Sequence, residues 1–100
     1  MRTHRIAVTV DKSGIRVEPD SLTMTPLDDV HWASMNEQKF TIVFDSEGPF
    51  GVKQLAHADA ALKQRPRYKG LFKYTVISVE DPTVQLDPVI IVDEPPSSQL

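Results

Sequence analysis

The chain has no cysteine. Without a thiol there is no disulfide, no thiolate nucleophile, no iron–sulfur cluster and no thiolate-bound metal. Compartment stays open, because a chain without disulfides can work anywhere. Long apolar runs are missing as well. No stretch approaches the ~18–20 apolar residues of a membrane span. The opening MRTHRIAVTV alternates polar and apolar residues and lacks the ~7–15-residue apolar run of a signal peptide. These absences predict a soluble chain. With Met1 native the cytoplasm is favoured; a chain trimmed of a signal peptide belongs in the periplasm or outside the cell. Cationic excess is absent too: 11 Lys/Arg against 14 Asp/Glu leave a formal charge of −3, which gives no global attraction for nucleic acid.

Catalytic and metal signatures are equally scarce. There is no GxSxG elbow. His4, His31 and His57 show neither an i, i+4 pairing nor a Glu-x-x-His spacing, so they read as three independent histidines. A site joining His31, Met35 and a carboxylate, which would make the chain a metal-binding or redox accessory protein, is a weak alternative. The acidic pair Asp28–Asp29, and the runs Glu80–Asp81–Pro82 and Asp93–Glu94–Pro95, read as turn chemistry. No enzyme activity and no cofactor are expected.

What is present is strand pattern. In 4–10, Ile6, Val8 and Val10 share one face. DKSG at 11–14 is a turn, Ile15 and Val17 form a short edge segment ended by Pro19, and Leu22 and Met24 point inward from 21–25. Val30, Trp32 and Ser34 share a face of VHWAS, opposite His31 and Ala33. FTIVF at 40–44 is the strongest strand signal, and DSEGPFG at 45–51 is a turn-rich break. VKQLAHADAALKQ at 52–64, rich in Ala, Leu, Lys and Gln, predicts a helix of about three turns with Leu55, Ala58 and Leu62 on one stripe. Phe72, Tyr74 and Val76 share a face of the next strand, and VQLDPVIIVD closes the domain. One hundred residues suit one domain, here 1–93, with 94–100 a frayed tail. The core expected is Ile6, Val8, Leu22, Trp32, Phe40, Ile42, Phe44, Tyr74, Val76, Val89 and Ile91. Short strands with one inserted helix give an all-β sandwich.

Four features in order carry a family resemblance: the opening strand with its Gly turn and Pro-bearing segment, VHW ahead of FTIVF, a helical excursion, and the aromatic-x-aromatic FKY before a loop and a Val/Ile strand. Over roughly 5–45 and 70–93 the chain resembles the cupredoxins, the Greek-key β-sandwich of blue copper proteins. The resemblance implies copper ligands at set positions, and every one is replaced. The first His position falls at Phe40 and the Cys position at Val76. The loop 77–88, which should supply His and Met, offers only Glu80, Asp81, Gln85 and Asp87. Copper of this kind needs thiolate and imidazole. Phe and Val coordinate nothing, so this is a cupredoxin-like chain in which apolar side chains plug the site.

Charge is segregated. Between residues 53 and 73, Lys53, Lys63, Arg65, Arg67, Lys69 and Lys73 face only Asp59, a net +5, and the rest of the chain carries −8. The stretch 63–73 interleaves Tyr68 and Phe72 with cations. Lys63, Arg65, Arg67, Tyr68, Lys69 and Lys73 are therefore the candidate partner-binding residues, suited to an acidic protein surface or, through the opposed charges of segment and body, to self-association. Anion or nucleic-acid binding by the same cations and aromatics is a third reading, disfavoured because the acidic body repels a polyanion.

Overall fold

The computed structural model describes residues 2–94. Met1 and, from residue 95 on, the expected tail lie outside them. The strands are β1 (Thr3–Asp11), β2 (Gly14–Glu18), β3 (Ser21–Met24), β4 (Asp29–Ser34), β5 (Phe40–Phe44), β6 (Gln54–Leu55), β7 (Gly70–Ser78), β8 (Gln85–Leu86) and β9 (Val89–Val92), with one helix, α1 (His57–Ala60). They form two sheets, one in the order β2-β1-β4 and one in the order β3-β9-β7-β5-β6, with β8 added to β7. The β1–β4 and β3–β9 pairs are parallel and the others antiparallel.

Alternation along each strand assigns the faces. The smaller sheet turns Ile6, Val8, Val10, Ile15, Val17, Val30 and Trp32 inward, and the larger answers with Leu22, Met24, Phe40, Ile42, Phe44, Leu55, Tyr74, Val76, Ile90 and Val92. Trp32 is the hinge of an aromatic cluster. Its ring meets Tyr74 edge-on at 5.6 Å and Phe50 at 6.0 Å, and Phe44 packs on both Phe50 and Tyr74. Rings in such edge contacts add to what burial alone contributes. Trp32 Nε1–H donates to Tyr74 Oη at 3.3 Å, so the buried indole nitrogen is satisfied. Burial pushes the Tyr74 phenol above its ordinary pKa, and the Trp32 hydrogen bond offsets only part of that rise.

Short-range chemistry sets the turns. The Asp11 carboxylate accepts from Ser13 N–H and Ser13 Oγ at 2.9 and 2.6 Å. Asp28 does more. It is buried, accepts from Thr25 N–H and Arg2 N–H, and pairs with His4 Nε2 at 3.1 Å, which ties the start of β1 to the turn before β4. Gly48 has φ 65°, and a Cβ there would lie 2.6 Å from the Phe44 ring. Only glycine lets the 45–51 turn pass that close and drop Phe50 into the core.

Two expectations need correction. The helix is one turn, His57–Ala60, and not the three turns expected over 52–64. It starts at Ala56 without a side-chain cap. Residues on both sides are claimed by strands: Gln54 and Leu55 pair with Val43 and Ile42, and Gln64 exchanges backbone hydrogen bonds with Val30. Tertiary pairing overrides propensity. The buried side chains are accordingly Leu55 and Ala60, while Ala58 and Leu62 are exposed. In β9 the core residues are Ile90 and Val92, where Val89 and Ile91 were expected. A VIIV run has no polar residue to mark its outer face. The ladder decides instead, placing Ile90 between the inward Leu22 and Phe72.

Candidate interaction site

The two positions assigned to copper ligands by resemblance do converge. On the inner face of the larger sheet, Phe40 stands opposite Ser78 and Ile42 opposite Val76, so Phe40 and Val76 are diagonal neighbours across the β5–β7 ladder. Both are fully buried, at 0% exposure. The His57 ring lies edge-on to Phe40 at 4.8 Å, and Phe40 N–H points to His57 Nδ1 at 3.4 Å. The site is filled by packed side chains, and neither Phe nor Val brings a donor atom, so these residues do not fit a copper ion.

The loop that would complete such a site folds back on itself. Ser78 and Val84 share a backbone hydrogen bond, and Gln85–Leu86 add to β7 as β8. Its polar groups are spent locally. Asp81 Oδ1 accepts from Thr83 N–H and Oγ1, Gln85 Nε2 donates to Pro82 O, and Asp87 Oδ1 accepts from Thr75 Oγ1 at 2.7 Å. Glu80 lines a surface depression with Asn36 and Gln38. Among the described residues no three His, Cys or acidic groups gather in a metal-sized cluster.

His31 and Met35 are not brought together. His31 lies on the outer face of β4, and Met35 follows the end of that strand in a bend. Met35 Sδ instead receives Arg5 Nη2 at 3.4 Å. His31 stands opposite Arg5 in the β1–β4 register. Its Nδ1 is buried without a described hydrogen-bond partner, as is Asp29 Oδ1.

The basic residues divide into two groups. Gln64 anchors the first: its backbone pairs with Val30, the edge residue of the smaller sheet, and its Nε2 donates to Asp59 O at 3.0 Å. The antiparallel bridge sets Lys63 beside His31 and Arg65 beside Asp29. Pro66 is buried, and Arg67 N–H and Tyr68 N–H both donate to Pro49 O. The Arg67 side chain passes over Gly51, whose missing Cβ would sit 3.2 Å from Arg67 Cδ. Residues 62–68 thus form an arm whose backbone is pinned at three points and whose side chains, apart from the buried Pro66 and the half-buried Gln64, are exposed. Leu62 is 61% and Tyr68 51% exposed, and Lys63, Arg65 and Arg67 are exposed as well. The second group lies elsewhere. Lys69 pairs with Glu94, and Lys73 projects from the outer face of the larger sheet, opposite Val89. A run contiguous in sequence therefore serves two surfaces. Leu62 carries no functional signal in the sequence, where it counts as a helix core position.

Two sheets closed face to face, mixed strand pairing, and the convergence of Phe40 with Val76 define a cupredoxin-like β-sandwich. No family model and no curated protein matches the sequence. Solved structures do match: a pseudoazurin from Sinorhizobium superposes with a TM-score of 0.60 at 17% identity, covering 99% of this chain and 80% of that one. Amicyanin in a reduced Cu(I) form gives 0.52 at 17% identity, covering 88% of this chain and 81% of that one. A variant of oxidised amicyanin gives 0.52 at 16% identity with the same coverage. These neighbours are cupredoxins; identity at this level carries the fold and nothing of their chemistry. Among the described residues no helix is long and apolar enough to cross a membrane.

Proposed function

We propose that the chain is a metal-free, non-catalytic cupredoxin-like interaction module that docks an acidic protein surface, on a partner or on a second copy of itself, through the 53–73 segment and chiefly its arm at 62–68. The observation that carries this is the arm: a pinned backbone presenting Lys63, Arg67, Leu62 and Tyr68 to solvent. A preordered backbone loses little entropy on binding. Arg and Tyr are the residue types that most often anchor interfaces. The absence of metal in this reading rests on the donor set, since Phe40 and Val76 occupy the ligand positions as core.

Capture on the immobilised protein, compared with a Lys63→Glu/Arg67→Glu variant, tests the docking. The expected result is a protein held by the wild type, released by salt, and lost with the variant. If charge reversal changes neither capture nor oligomeric state, the reading fails. An intense visible band, or one bound equivalent of copper on titration, would overturn the metal-free part. A polyanion bound with steep salt dependence in place of an acidic protein would redirect the arm to nucleic acid.

A further inference from the structure

On the opposite edge of the smaller sheet from the arm lies a groove of about 690 Å³, formed where β2 faces the β8–β9 connection. Its accessible apolar surface comes from Pro19 and the half-buried Leu86, while Ile15 and Val17 of the edge strand and Pro88 line its back and are themselves buried. Its rim carries Glu18, Asp20 and Asp87 against the single cation Arg16. Asp87 is held by Thr75, while the carboxylates of Glu18 and Asp20 have no hydrogen-bonded or ion-paired partner among the described residues. The groove is therefore apolar on its floor and anionic at its rim. The arm is the converse, with a Tyr and a Leu flanked by cations.

We propose that the occupant of this groove is the arm of a second copy of the chain, with Tyr68 laid against the proline and aliphatic floor and Arg67 meeting Glu18 and Asp20. The inference rests on the docking role proposed for the arm and names its acidic target. A chain cannot fill its own groove. The order groove, β2, β1, β4, arm puts about 14 Å of sheet between the two patches. The contact joins two different surfaces, so it is heterologous, and copies add head to tail. Each added chain leaves one arm and one groove free, and assembly grows with concentration. Screening weakens the rim contacts, so salt reverses it.

Sedimentation of the whole chain over a concentration series tests this. At ~20 mM salt the average mass should climb past the 11.2 kDa monomer as concentration rises, and return to it near ~0.5 M salt. Glu18→Ala/Asp20→Ala and Arg67→Ala/Tyr68→Ala, all at exposed positions, should each stay monomeric with unchanged melting. Mixed, they should form a one-to-one dimer and nothing larger, because the intact arm of the groove variant fits only the intact groove of the arm variant. A wild type that stays monomeric throughout overturns the inference, as does a mixture that stays monomeric or an arm variant that still assembles. If the monomeric wild type nonetheless captures an acidic protein through Arg67, self-docking falls while the docking role stands.

Discussion

Two regions of this molecule have changed places relative to what the fold suggests. The two positions where the resemblance implies copper ligands, Phe40 and Val76, are packed core here. The arm at 62–68 contributes nothing to the core through Leu62 and Tyr68, yet its backbone is hydrogen-bonded at Gln64, Arg67 and Tyr68. In the first region Phe40 and Val76 are fully buried and carry no donor atom. In the second, Leu62 and Tyr68 are exposed and lie outside the core. The contrast separates what a sandwich needs in order to exist from what it can offer a partner.

Substitutions can break that contrast, and the strongest acts in the interior. Phe40→Ala empties a fully buried ring site and should destabilise the fold by about 3–5 kcal/mol, read as a lowered urea midpoint. A cost below about 1 kcal/mol would show that the position is not core. Tyr74→Phe comes next. It removes the acceptor of the buried Trp32 N–H and should cost about 1–3 kcal/mol; near-neutrality would mean that water or another group satisfies the indole.

A pH titration then probes the junction between the two sheets' ends. Burial works against ionising Asp28, but hydrogen bonds from His4, Thr25 and Arg2 outweigh it and hold the carboxyl below its ordinary 3.8. A lowered carboxyl stabilises the folded state fully above its unfolded pKa, and that contribution is lost as pH falls through the lower folded value. The urea midpoint should therefore drop between about pH 5 and 2, with a shallower slope for Asp28→Asn. Equal slopes would remove Asp28 from the acid response. The smallest effect belongs to the arm: Lys63→Glu/Arg67→Glu should shift stability by no more than about 0.5 kcal/mol per site while changing docking. A large loss of stability would collapse the comparison, since the arm would then be structural.

The sequence made much of the interior legible. Phe40, Ile42, Phe44, Tyr74 and Val76 lie on strands whose two-residue period is clean, and all five are buried. The turn residues Asp11 and Asp81 were readable because their hydrogen bonds reach only two residues along the chain. Phe50 was not readable, since a lone aromatic among turn residues has no period to place it. Gln54–Leu55 and Gln64 were hidden by the helix propensity around them. The basic cluster was visible as composition, but the separation of Lys69 and Lys73 from the arm was not. The groove lined by Ile15, Glu18, Asp20 and Leu86 joins segments about 70 residues apart, and no local pattern announces it.

By itself the sequence determined that no thiolate chemistry is possible and that the alternating strands pack as a sandwich. Composition and periodicity decide these two points because they depend on residue types and their spacing alone; that Phe40 and Val76 stand where copper ligands would be is what the cupredoxin resemblance implies. The tertiary structure decided which face of VIIV is buried, how short the helix is, and which cations share a surface. Those outcomes are settled by backbone pairing between distant segments. A hydrogen-bonded partner across a sheet outweighs the few tenths of a kcal/mol per residue that local propensity supplies.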